Sequence, residues 1–297
     1  GFYHFFLSTR DYISLSPNIK INFEYLISNS MKNSRKIDYF LSAWQLKVKY
    51  KNIEFGSSRN ILSGGYNDIP WRIEDAFILP ITNKNIKYWD QIYDLFLLYN
   101  SPESGLIIFY ELGIPNRSYN GANPDEYSEH GLGSNIGIRK YGAFGKNEII
   151  FGFEYTRLVQ GIYYNVLPTP NWYDNIKYNY SSYRNRRWSA HSGADSDDFL
   201  VYLGYMDKNK SLIYEINYER HGVTYHFPPE VKIESRISAS YKFRNIFISL
   251  NYENEYFEHY SFLDSNINVW DETFEEGSLQ KTNTLLLSIE YSLFSNK

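Results

Sequence analysis

KTNTLLLSIEYSLF, Lys281 to Phe294, alternates residue by residue between two unlike rows. Leu285, Leu287, Ile289, Tyr291 and Leu293 fall on one side, and Leu286, Ser288, Glu290, Ser292 and Phe294 on the other. A period of two defines a strand with two different faces. The pattern recurs upstream in Ile19 to Ile27, Trp44 to Tyr50, Ile149 to Tyr155, Leu212 to Tyr218 and Ile233 to Phe243, each apolar row backed by a polar or charged one. Several runs reach the roughly 9 to 11 residues that cross a bilayer at a tilt, beyond the ~5 to 6 of a soluble sheet.

Recurring strands of this kind predict an all-β fold, a transmembrane antiparallel β-barrel of the outer-membrane type. It is read as a single domain over residues 1–297 with roughly 12 to 16 strands. In lipid, every backbone N–H and C=O needs a protein partner, which only helices and closed barrels supply. No run approaches the ~18 to 20 consecutive apolar residues of a helical span. The mean hydropathy of −0.49 is compatible with a barrel, because a strand offers lipid only every second residue. Thirty Tyr and twenty Phe suit strands and the aromatic girdles of a membrane interface. The expected location is therefore the bacterial outer membrane, with lipid as the first partner.

The chain opens inside a strand, Phe2 to Ser8, so a leader and some further N-terminal sequence are expected to precede it. Zero Cys removes disulfides and thiolate chemistry and agrees with export. A net charge of −4 with no basic stripe argues against nucleic acid as a partner.

Barrels of this class have short periplasmic turns and long external loops. Counting back from a periplasmic C-terminus makes 259–280, 221–230, 189–198 and 114–129 external, and 243–245, 207–210 and 142–147 periplasmic. The same count makes 159–161 external and 168–175 periplasmic, but at these two the long and short rhythm fails. Residues 85–100 also fit one helical face through Trp89, Ile92, Tyr93 and Phe96, so a short helix or plug is an alternative there.

The expected external connections carry Tyr119, Tyr127, His130, Trp188, His191, Asp195, Asp197, Tyr225, His226, Phe227, Trp270 and Phe274. Aromatic faces for sugar rings and polar groups for hydroxyls make these the candidate polysaccharide contacts, with ordinary girdle aromatics the competing reading. The lumen row is expected to carry Glu154, Glu215, Glu219, Glu234, Arg236, Lys242, Glu253 and Glu290, as cross-strand ion pairs or a pore lining. His259-Tyr260-Ser261 has the spacing of an outer-membrane lipid hydrolase, but Phe262 stands where those enzymes carry Asn. The aspartates Asp195, Asp197 and Asp198 lack the spacing of a calcium loop. No catalytic residue, metal or cofactor is expected.

Several segments in order extend the reading. Glu111-Leu112-Gly113 before Pro115 is followed by Gly131-Leu132-Gly133, then Phe153-Glu154-Tyr155-Thr156-Arg157 and Tyr163-Tyr164-Asn165. Trp188 and the loop His191-Ser192-Gly193-Ala194-Asp195-Ser196-Asp197 then lead into Phe199 to Tyr205. Over roughly residues 104 to 294 this resembles the Wzi-type capsule-assembly barrels of the outer membrane. The resemblance implies a non-enzymatic barrel that binds or organises capsular or exported polysaccharide, with outer-membrane or periplasmic proteins as further partners. A porin-like diffusion channel is the alternative from another class, and a lipid hydrolase a third.

Overall fold

The computed structural model describes residues 4–32, 38–65, 90–115, 132–142, 148–158, 182–183, 186–187, 195–223, 229–260 and 279–292. Every regular element among them is a strand. In chain order these are β1 (His4–Ser8), β2 (Ile13–Ser14), β3 (Ile19–Lys32), β4 (Asp38–Tyr50), β5 (Ile53–Ser63), β6 (Asp90–Ser101), β7 (Leu106–Pro115) and β8 (Gly133–Tyr141). They continue as β9 (Ile149–Arg157), β10 (Ser182–Tyr183), β11 (Arg186–Arg187), β12 (Ser196–Met206), β13 (Lys210–His221), β14 (Glu230–Phe243), β15 (Ile246–Glu258) and β16 (Gln280–Tyr291).

Fourteen strands make one antiparallel sheet, in the order β1-β3-β4-β5-β6-β7-β8-β9-β12-β13-β14-β15-β16 with β2 also on β3; β10 and β11 pair separately. β1 and β2 occupy one edge of β3 in succession, bridged at Thr9, whose N–H donates to the Phe23 carbonyl at 3.0 Å. β1 and β16 end the order, and among the described residues no ladder joins them. The residues group into two compact units: 1–99 with 109–135 and 158–195, and 100–108 with 136–157 and 196–297.

In the first unit, register places the apolar rows of neighbouring strands side by side. Ile19 opposes Tyr50 and Tyr50 opposes Ile53, which opposes Tyr99; one rung along, Ile21, Val48, Phe55 and Leu97 line up. These rungs are exposed, Phe55 at 51% and Leu97 at 48%. Farther along the same strands the core begins, with Tyr39, Leu41, Ile61 and Leu62 buried. The opposite face carries Tyr39, Leu41 and Leu62 in that core and, nearer the short connections, polar residues that hold Lys47 against Glu24 at 3.5 Å and the Tyr12 hydroxyl on Glu54. Gly56 lies on that face because Phe96, its register partner, occupies the space a Cβ would need, with ring carbon Cζ only 2.0 Å from that position.

The second unit repeats the scheme. Phe151, Leu203, Tyr214, Ile237, Tyr252 and Leu285 share one rung, and Ile149, Tyr205, Leu212, Ala239, Leu250 and Leu287 the next. Leu212 is 54% exposed and Leu285 68%. Gly152 on the other face lies under its partner Tyr202, whose ring carbon Cζ is 2.1 Å from the position a Cβ would take. Between β12 and β13, Asp207 Oδ1 accepts the Asn209 and Lys210 N–H groups at 2.8 and 3.0 Å, and Oδ2 accepts the Tyr205 hydroxyl at 2.8 Å. These bonds, the Asn209 N–H first, hold its carboxyl below the usual range and fix the hairpin.

Connection lengths alternate without exception from β3 onward. Residues 51–52, 102–105, 142–148, 207–209 and 244–245 turn back at one end of their strands; 33–37, 64–89, 116–132, 158–195, 222–229 and 259–279 connect at the other. Three expectations are corrected. Residues 90–101 are strand β6, because ten consecutive register pairs to β5 outweigh a helical spacing of apolar residues; 85–89 lie outside the described residues. β9 is flanked by β8 and β12, so no sheet strand separates β9 from β12, and the crossings read at 159–161 and 168–175 are not made between them. The external segment 189–198 ends earlier than read, since β12 begins at Ser196.

Candidate functional site

The polar face of β12 to β15 gathers the densest charge among the described residues. Alternation sends Glu215, Asn217, Glu219 and His221 of β13 to the same side as Glu230, Lys232, Glu234 and Arg236 of β14, and Glu253 and Glu255 of β15 follow by register. Lys232 Nζ lies 2.8 Å from Glu234, 3.4 Å from Glu255 and 3.6 Å from Glu219. The Arg236 guanidinium reaches Glu234 at 2.6 Å, Glu253 at 2.9 Å and Glu215 at 3.6 Å. His221 bridges Glu230 through Nδ1 at 2.8 Å and Glu219 through Nε2 at 3.1 Å, while Asn217 donates to Glu219 at 2.7 Å.

The carboxylates of Glu215, Glu219, Glu230, Glu234, Glu253 and Glu255 outnumber the cations Lys232, Arg236 and His221, so the cluster is acidic. Glu234, Glu253 and Glu255 bring ligand oxygens within 4.8 Å of one another, the spacing of a cation site. Lys232 and Arg236 already supply positive charge there. His221 stands three residues beyond Tyr218, the last apolar-row residue of its strand. Burial alone would lower its pKa, but the bonds to Glu219 and Glu230 prevail and hold it above the ordinary value.

Of the expected lumen row, Glu215, Glu219, Glu234, Arg236 and Glu253 come together in this cluster. Glu154 accepts Arg139 at 2.9 and 2.6 Å on β8 and β9. Lys242 and Glu290 are exposed near the short-connection end and outside the cluster. His221, Glu230, Lys232 and Glu255 are the cluster members not singled out from sequence. Lys232 and Glu255 are legible in the polar rows, whereas His221 and Glu230 sit where the apolar alternation has stopped and only the ladder shows that the strands continue.

Asp197 faces Arg220 across the β12–β13 ladder, accepting Nε at 2.8 Å and Nη2 more closely, and is itself buried. Asp195, also buried, has a left-handed φ of 60° and donates its N–H to the Leu158 carbonyl at 3.0 Å. Tyr119, Tyr127, His130, Trp188, His191, Tyr225, His226, Phe227, Trp270 and Phe274 lie outside the described residues, as does Ser261. By sequence all of these fall within the connections 116–132, 158–195, 222–229 and 259–279. No protein-family model, curated protein or solved structure matches the chain.

Proposed function

We propose that this protein is an outer-membrane β-barrel that binds or organises polysaccharide at the cell surface without catalysing a reaction. The observation that carries the membrane half is an exposed apolar row running in register from strand to strand, beside a polar face and a strict alternation of short and long connections. An apolar surface of that extent would drive association in water, and lipid removes the cost. From Ile233 to Phe243 the row on β14 spans roughly 33 Å at ~3.3 Å per residue, or about 25 Å of height at a barrel's tilt. That equals the apolar band of such barrels. Tyr50, Tyr99, Tyr241, Phe243 and Tyr291 are exposed toward the short-connection end, and Lys51 and Arg244 lie over Tyr50 and Phe243 at 5.4 and 5.2 Å. Aromatics capped by cations suit a headgroup interface.

The polysaccharide half is supported by the likeness to Wzi-type barrels and by the aromatic and His content of the long connections. Heat-modifiable migration after detergent extraction tests the barrel. Deleting the gene and assaying retained surface polysaccharide tests the function, with loss of retention expected; normal retention would sink it. The acidic cluster favours a second reading, a diffusion channel preferring cations. Steady, cation-selective conductance in planar bilayers would give that reading precedence.

A further inference from the structure

One rung of the first unit breaks the apolar rule. In the rows Ile19 to Ile27, Phe40 to Tyr50, Ile53 to Ser63 and Gln91 to Tyr99, Arg59 is the only charged residue. It lies between Trp44 of β4 and Tyr93 of β6, its register partners on either side, whose rings meet edge-on with centroids 6.3 Å apart. Arg59 and Trp44 are each only 8% exposed. The guanidinium donates through Nε at 3.0 Å and through Nη2 to a neutral acceptor, the side-chain oxygen of Gln91. Among the described residues no carboxylate pairs with it. Beside it, the Trp44 Nε1–H is buried without a hydrogen-bond partner, as is the hydroxyl of Ser42 one rung away.

A buried cation without a counter-charge is costly, and buried donors without acceptors add to the cost. One anionic group would relieve both, since among the described residues Arg59 Nη1 makes no hydrogen bond and the Trp44 indole and Ser42 hydroxyl lie on the same face. The next rungs toward the short connections are the exposed Leu46, Phe55 and Leu97, an apolar track leading away from the cation. A charged head at one end and an apolar track at the other match an amphiphile.

We propose that the Trp44–Arg59–Tyr93 rung binds the phosphate of an acidic lipid, with the acyl chains lying along Leu46, Phe55 and Leu97. This rests on the reading that the apolar face meets lipid. The test uses the full chain in detergent, with bound lipid counted by native mass spectrometry for dioleoyl phosphatidic acid, for dioleoylglycerol and for inorganic phosphate. Wild type should retain phosphatidic acid about tenfold better than dioleoylglycerol, the effect of one charge-assisted contact. R59Q should abolish that preference, R59K keep part of it, and W44F weaken it by a smaller factor.

Equal retention of the two lipids by wild type, or an unchanged preference in R59Q, overturns the proposal. Displacement of phosphatidic acid by equimolar inorganic phosphate overturns its lipid half. If R59Q fails to fold, the comparison of R59K and W44F with wild type decides: a reduced preference in both supports the site, and a preference unchanged in both overturns it. A chain that stays soluble without detergent sinks the membrane reading separately. Dihexanoyl phosphatidic acid then still reads the Arg59-dependent preference.

Discussion

At the scale of single residues, the charges of the polar face behave as a set. Lys232 is a cation with a side chain only 16% exposed, shared among Glu219, Glu234 and Glu255. Lys232→Met keeps much of the volume and leaves those carboxylates facing one another, so it should destabilise by about 3 kcal/mol. Chemical denaturation of the detergent-solubilised protein measures this. His221 carries the pH dependence. A folded pKa raised above the unfolded 6.5 makes its contribution complete below that value and lost as pH rises through the folded pKa. The unfolding midpoint should therefore fall as pH rises from about 6.5 through neutrality. In H221Q, which retains a hydrogen-bonding side chain without the charge, that slope should flatten, and an unchanged slope would exclude His221 as its source.

At the scale of elements, two glycine–aromatic pairs hold neighbouring strands together across the polar face. Gly56 lies under Phe96 and Gly152 under Tyr202. A ring lying over a bare backbone covers a strand that lacks its own side chain. Gly152→Val pushes β-branched bulk into the Tyr202 ring and should cost about 1 to 3 kcal/mol. Tyr202→Ala alone should also destabilise, but G152V combined with Y202A should cost clearly less than the two single changes added. A double-mutant cycle on thermal unfolding reads the coupling, and strict additivity would rule out the contact as its origin.

At the scale of the whole molecule, the two faces predict opposite responses to the same new charge. Ile237 lies in the apolar row at 43% exposure, and Ser238 follows it on the polar face. An exposed site in water tolerates arginine within about 0.5 kcal/mol. In the bilayer midplane it costs roughly 2 to 4 kcal/mol. Ile237→Arg should therefore impair folding into lipid vesicles far more than Ser238→Arg does, as gel-shift folding assays report. Equal tolerance of the two would indicate that water, not lipid, meets the apolar row.

Much of this organisation was legible in the sequence, and the division follows from the range of the forces involved. Alternation is local, so Ile233 to Phe243 and Leu285 to Tyr291 declared their strands and their faces unaided, and the tight hairpins at 207–209 and 244–245 followed from where alternation paused. Pairing is non-local. Only the ladder turned 90–101 from an ambiguous apolar run into β6, made β9 and β12 neighbours across a long connection, and extended β13 and β14 to His221 and Glu230. The same holds for the sites: a charged row announces a polar face, but which carboxylate meets Lys232, and that Arg59 lies between Trp44 and Tyr93, depend on register. That register joins residues far apart in the chain and is set by the sum of backbone bonds and side-chain contacts along whole strands.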